Sequence, residues 1–448
     1  MRLKKLGAVL LVLSMTTGLM AGCGSGGDQG STDAGAADAG AGAGTEEAGA
    51  VDTGADAGAA DAGIEPCTIE FWHAMTGVQE ATLTTLTEKF NSENEYGITV
   101  TLVNQGYYSD LKTKLTANAA AGTLPDMAQA YNSYLPEYID SVVALDDFVA
   151  NDFDDWNDIV ESYRNEVSEF GFISGIPFNK STYVYFYNKT LFDELGLQAP
   201  ANWDDLANIG ETFKSEKDMV AVGWDDLAGM FEAAILANGG EYISEDGALF
   251  DNEIGLATTT AMMDLFANGY ARLVGEDGFF SGPFGNQRIA SYVGSSTGVS
   301  YIDTAASGTE FELGVAPLPG GTAGQAANAA GTNLVMFAQD ANQQKATWEY
   351  MKYLVSVEST TEWAIATGYL PVRMSAYESD TYQAFMANDP TAQASYAQAP
   401  YFFNSAGFEG ADAIRTNMSA KIEEMVLDGA DAETTLSALV DVVNKELK

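Results

Sequence analysis

Between residues 67 and 131 the spacing of apolar positions changes several times. Thr68-Ile-Glu-Phe-Trp72 alternates with the two-residue period of a strand, and Ile98, Val100 and Leu102 do the same. Between them Leu83, Leu86 and Phe90 recur at helical spacing and share one face. Ser109 is a candidate cap for a second helix carrying Leu111 and Leu115, which Gly122 ends before Leu124-Pro125-Asp126. Met127 to Tyr131 predicts a third strand. This β-α-β-α-β alternation predicts an α/β lobe with a largely parallel sheet, because parallel strands need a crossover of helical length.

Farther along, Tyr183-Val-Tyr-Phe-Tyr187 predicts a dense aromatic strand, followed by helices near 203–216, 226–237 and 254–270. A loop with Gly282, Pro283 and Gly285 comes next, then strands at Val299 to Ile302 and Leu313 to Ala316. Trp348, Met351 and Leu354 mark a helix face, and the last forty residues predict two more helices. The order fits two α/β lobes with more than one chain crossing between them.

The first residues follow a different pattern. Arg2, Lys4 and Lys5 precede an apolar run from Leu6 to Leu19, too short to span a bilayer comfortably, then Met20-Ala21-Gly22-Cys23. A positive start, a short apolar stretch and small residues before a cysteine resemble the export signal of bacterial lipoproteins, in which that cysteine carries lipid. Met20 departs from the leucine usual at its position. Residues 24–66 are almost entirely Gly, Ala, Asp, Ser and Thr, and one octet occurs at 33–40 and again at 56–63. With nothing to bury, this segment predicts a disordered tether with a reach of about 35–40 Å. Cys67 is then the only thiol of the folded part, so an internal disulfide is not expected.

Composition narrows the function. The 448 residues hold 20 Lys and Arg against 64 Asp and Glu, a formal charge of −44, which excludes a nucleic-acid footprint. Apolar residues make up 46% of the chain, ample for a large core. One His and two Cys supply neither a histidine cluster nor a thiolate cage, so no metal or other cofactor is expected. Gly294-Ser-Ser-Thr-Gly298 matches a hydrolase nucleophile pattern, but the single histidine, His73, lies far before it, which favours a plain Gly/Ser loop. The acids Asp146, Asp147, Asp152, Asp154 and Asp155 lack the glycine and closing glutamate of a calcium loop and read as a solvated face. More informative are aromatics beside small polar residues: Phe71-Trp72-His73, Tyr107-Tyr108, Tyr131 and Tyr134, Trp224, and Gly368-Tyr369-Leu370-Pro371. Aromatic faces suit sugar rings, and nearby amides and hydroxyls fix hydroxyl groups.

These residues resemble the solute-binding proteins of carbohydrate-type ABC importers, in particular the branch that binds glycerol-3-phosphate and its diesters. The resemblance is carried by Phe71-Trp-His-Ala-Met-Thr-Gly77, Leu124-Pro125-Asp126, Ile176-Pro-Phe-Asn-Lys-Ser-Thr182 leading into Tyr187-Asn-Lys189, Gly314-Val-Ala-Pro-Leu-Pro319 and Thr367-Gly-Tyr-Leu-Pro371. It implies a two-lobed α/β fold of the periplasmic-binding-protein type II, with discontinuous lobes joined by a hinge. The crossings are placed near 180, 290 and 331, giving a first lobe of 67–180 plus 290–330 and a second of 181–289 plus 331–448. Carried over residue by residue, the resemblance implies ligand contacts at Tyr108, Ser181, Trp224, Gly331 and Tyr369, with Arg415 as the phosphate-binding arginine. Trp72, His73 and Tyr131 join the candidates as aromatic neighbours. Where the branch has a glutamate bonding glycerol hydroxyls, this chain has Asn132, a departure that leaves room for a neutral sugar.

The expectation is a non-catalytic, monomeric receptor outside the cytoplasm, anchored to the bacterial membrane by lipid on Cys23. It would capture a sugar, polyol or glycerol-3-phosphate-like ligand and pass it to the transmembrane subunits of an ABC permease. A surface-tethered glycan-processing enzyme, or a sensory or adhesive lipoprotein on the same fold, is the alternative.

Overall fold

The computed structural model describes residues 63–306 and 311–448, within the compact unit Ala62–Lys448. The segments expected to be an export signal, the lipidated Cys23 and a tether lie, up to residue 62, outside the described residues. The first half of the unit contains β1 (Thr68–His73), β2 (Thr99–Asn104), β3 (Met127–Ala130), β4 (Ile176–Ser181), β5 (Tyr183–Asn188), β6 (Ile243–Ser244) and β7 (Gly247–Ala248). Then follow β8 (Ser291–Ser295), β9 (Leu313–Ala316), β10 (Ala327–Asn328), β11 (Ala330–Met336) and β12 (Phe402–Phe403).

Two sheets organise two lobes. The first has the order β2-β1-β3-β11-β4, with β1 parallel to β2 and β3, and β11 antiparallel to β3 and β4. The second, β8-β5-β9, is wholly antiparallel, so the parallel expectation holds only for the opening strands. Local signals explain the opening. Leu83, Leu86 and Phe90 are the buried face of the Gly77–Glu93 helix. Gly122, at φ 68°, ends the Tyr108–Ala121 helix in the left-handed conformation that glycine adopts without a Cβ penalty. That helix starts one residue before Ser109, at a boundary held by the Asp110 carboxylate, which accepts from the Tyr107 amide at 3.0 Å.

Several expectations are corrected. Val299–Ala305 is a helix, not a strand; only Ile302 in it is buried, a one-sided pattern that a helix satisfies. Gly282, Pro283 and Gly285 belong to the short helix Ser281–Gly285. The lobe boundaries also move. β8 pairs with β5 from Tyr183↔Ser295 to Tyr187↔Ser291, so residues after 290 stay in the second lobe. β11 lies between β3 and β4, and the Ala341–Leu354 helix buries Trp348, Met351 and Leu354 in the first lobe's core. Apolar periodicity identifies a strand and its buried face, but not the sheet it joins.

The sheets meet at Thr182, between β4 and β5. Its carbonyl accepts from the Ser296 amide at 2.8 Å and its hydroxyl from Gln398 Nε2 at 2.9 Å. Beside it the Leu370 amide donates to the Lys180 carbonyl at 2.7 Å. The chain crosses again between β10 and β11, near the expected 331. Ser296, within the GxSxG match, donates its hydroxyl to the Gly368 carbonyl at 2.9 Å, a tie between strand ends rather than a nucleophile.

Candidate functional site

A cavity of about 420 Å³ opens between the lobes, within the range of small-ligand sites. Its first-lobe wall is aromatic. Tyr108 and Tyr131 pack edge to face with ring centroids 5.0 Å apart, and Tyr131 meets Tyr134 likewise at 5.2 Å. Asn179 Nδ2 donates to the Tyr108 hydroxyl at 2.8 Å, and the Tyr369 hydroxyl lies 3.4 Å from it. Gly331 forms the floor at φ 111°, where a Cβ would collide with the Asn179 carbonyl; a side chain there would also push strand β11 off β4.

The second-lobe wall carries charge. Asp226 caps the Leu227–Ala237 helix, its Oδ1 accepting from the Gly229 amide at 3.0 Å. Its Oδ2 accepts from the Tyr183 hydroxyl at 2.7 Å and pairs with Arg415 Nη2. Arg415 Nη1 lies 3.7 Å from Glu232 Oε2, which accepts from the Ser405 hydroxyl at 2.7 Å. Asn328 Nδ2 in turn donates to Ser405 at 2.7 Å. Burial pushes the Glu232 carboxyl up to about 7, although Arg415 pulls the other way. Burial works against the Arg415 charge, and Asp226, Tyr183 and Glu232 outweigh it, raising its pKa.

Other ion pairs bound the cavity. Lys112 on the first lobe meets Glu137 at 2.7 Å and Asp412 of the second lobe at 2.6 Å. Glu166 pairs with the fully buried Lys180. Four carboxylates therefore line the cavity, at Glu166, Asp226, Glu232 and Asp412, against the single guanidinium of Arg415. With their partners included, three cations, Lys112, Lys180 and Arg415, meet five acidic side chains, Glu137, Asp412, Glu166, Asp226 and Glu232. Two polar groups on the wall are buried without a protein partner: Asn132 Oδ1 and the Tyr242 hydroxyl. The Asn132 amide is oriented by donating Nδ2 to Glu169 Oε2 at 2.7 Å, while Glu169 Oε1 accepts from the second lobe's Gly407 amide at 3.2 Å.

The structure brings together Tyr108, Tyr131, Asn132, Gly331 and Arg415 from the sequence candidates. Tyr369 touches this group through Tyr108 but lines a different cavity. The other four do not line the large cavity. Trp224 is buried in the second lobe's core against Phe266. Trp72 turns its indole N–H to Glu70, and His73 is 2% exposed, with its pKa lowered by burial. Ser181 pairs opposite Ala330 in the sheet. Sequence reasoning missed Tyr183, Asp226, Glu232, Tyr242 and Asp412. Glu232 had a readable signal, since it is the only charged residue in the otherwise apolar helix Leu227–Ala237.

A family profile described as bacterial extracellular solute-binding protein matches residues 85–394. The chain is 28% identical over 360 residues to the sn-glycerol-3-phosphate-binding periplasmic protein UgpB of Escherichia coli K12, covering 74% of this chain and 80% of that protein. Among solved structures it is similar to UgpB of Mycobacterium tuberculosis in complex with glycerophosphocholine (TM-score 0.75, 24% identity, 85% of this chain and 98% of that one). It is also similar to the cyclic alpha-maltosyl-1,6-maltose binding protein of Arthrobacter globiformis (TM-score 0.74, 23% identity, 86% and 99%). With two main sheets, an interlobe cavity and a profile match across most of the chain, this protein belongs to the bacterial extracellular solute-binding protein family.

Proposed function

We propose that the protein is the ligand-capturing lipoprotein of an ABC importer, and that its ligand is a neutral, polyhydroxylated molecule such as a sugar or polyol. The observation that carries the ligand class is Arg415. This guanidinium is already bonded by Asp226 and lies 3.7 Å from Glu232, so an incoming phosphate would compete with one carboxylate and sit beside a second acidic group. A hydroxyl-rich ligand meets no such barrier: carboxylates accept from hydroxyls, Asn132 Oδ1 and Tyr242 offer further partners, and the tyrosine wall covers an apolar ring face. The relatives named for glycerol-3-phosphate share the fold and many residues, and the neutral-ligand reading departs from them on this electrostatic ground.

Closure of the lobes would trap the ligand, with Lys112–Asp412 and Glu169–Gly407 as first-to-second-lobe contacts that form the closed edge. Lipid on Cys23 and the Gly/Ala/Asp tether would hold the folded head near the permease. A thermal-shift screen of neutral sugars, polyols and glycerol phosphates tests the ligand class. A ligand at one hundred times its dissociation constant adds about 2.7 kcal/mol to stability. A panel in which only phosphorylated compounds raise the melting temperature would reject the neutral reading. Anchoring is checked separately by lipid labelling in cells, which a Cys23→Ala variant should abolish.

A further inference from the structure

A second cavity, of about 160 Å³, lies between helices of both lobes. The Val299–Ala305 and Pro390–Gln398 helices belong to the second lobe, where Ile302 and Ala394 share a core cluster. The Val357–Thr367 helix belongs to the first lobe through Trp363. The Asp380–Met386 helix closes the remaining side with Tyr382 and Phe385.

Its polar lining is one-sided. Asp303 and Asp389 both face it, no Lys, Arg or His lines it, and neither aspartate makes an ion pair among the described residues. Asp389 Oδ1 caps its helix by accepting from the Ala392 amide at 2.7 Å. Burial, and then the charge of Asp389, raise the Asp303 carboxyl. The independent observation comes from Thr391 and Ser395, one turn apart on the same helix and 3% and 1% exposed. Thr391 stands in the first turn, with no carbonyl of its own helix four residues back, whereas Ser395 could bond the Thr391 carbonyl as Thr87 and Thr259 bond theirs, and does not. Thr391 and Ser395 line the cavity and their hydroxyls have no protein partner.

We propose that this cavity is a second binding site, for a small organic ammonium ion that also carries a hydroxyl group. The ammonium would lie with Asp303 and Asp389, and the hydroxyl with Thr391 and Ser395. Aromatic rings such as those of Tyr382 and Phe385, which line the cavity, suit an organic cation. A divalent metal is a poorer fit, since it takes six or more oxygen ligands and this cavity is largely walled by carbon.

Ethanolamine hydrochloride is the probe, titrated by calorimetry into the folded head. Saturable binding to the wild type is expected, weakened about tenfold by Asp303→Asn with Asp389→Asn, as loss of charge-assisted hydrogen bonds predicts. Asparagine retains the helix cap, so the double variant keeps its fold. Thr391→Val with Ser395→Ala provides a second, charge-neutral test and should weaken ethanolamine more than methylammonium. The proposal is overturned by absence of saturable ethanolamine binding at millimolar concentration. Equal binding by the wild type and both variants would also overturn it, as would tighter binding of calcium chloride that the aspartate variant loses.

Discussion

The two walls of the large cavity differ in chemistry. The first lobe presents tyrosine faces and backbone, at Tyr108, Tyr131, Tyr134 and Gly331, and no unpaired charge. The second lobe presents a linked set of ionisable groups, Asp226, Arg415 and Glu232, tied to Tyr183 and Ser405. On the proposed function, one wall would provide area and shape, while the other would decide which charges are admitted. Separating the two tasks lets selectivity change by substitution on one lobe while the stacking surface stays intact.

Variants of the charged wall should have the largest effects. Arg415→Ala leaves two carboxylates without their counter-ion. It should abolish measurable ligand binding and lower stability by about 2–3 kcal/mol, the lower side of what breaking a buried pair costs because Arg415 is partly exposed. Titration calorimetry and denaturant melts check both parts. Asp226→Asn keeps the helix cap but frees one side of the guanidinium. Binding of glycerol-3-phosphate should strengthen about tenfold, in line with one charge-assisted contact made available. On the aromatic wall, Tyr131→Ala should weaken a neutral ligand about tenfold and Tyr131→Phe much less, since ring contacts are worth about 0.5–1.5 kcal/mol beyond area.

The pH response sharpens the comparison further, because the charged wall holds groups that titrate near neutrality. Burial raises Glu232 from 4.5 to about 7, and Asp225, behind the same wall, from 3.8 to about 7. A folded state that binds more protons than the unfolded chain is most stable on the acid side. Stability should therefore fall as pH rises from about 4 to 7, and Glu232→Gln should shrink that slope while the Asp225 share remains; melting curves across pH measure it. The smallest effect on binding belongs to Trp224→Phe. It should cost stability in the second lobe's core and leave ligand affinity unchanged, because the indole does not reach the cavity.

The same contrast explains what the sequence made legible. The aromatic wall was visible, since Tyr108 and Tyr131 sit at the ends of periodic elements beside small polar residues. The charged wall was mostly invisible. Fifty-five acids in the folded part make any one aspartate unremarkable, and Asp226 meets Arg415 across 189 positions. Arg415 was found only through a family resemblance, which gave its place but not its two carboxylate partners. The lobe partition failed at 290 for a related reason: neither β8 nor β11 was predicted as a strand, and the pairing that assigns each to its sheet is not written in apolar periodicity. Trp224 shows the reverse error, a tryptophan near a helix start that packs inward.

The central claim is that this cavity admits neutral hydroxylated ligands and disfavours phosphates. Calorimetric titration of the wild-type head with glycerol-3-phosphate, beside the strongest neutral sugar or polyol from the screen, tests it most directly. The account predicts saturable binding of the neutral compound and at least tenfold weaker binding of glycerol-3-phosphate, a difference of about 1.4 kcal/mol. Tighter binding of glycerol-3-phosphate than of any neutral compound would contradict it.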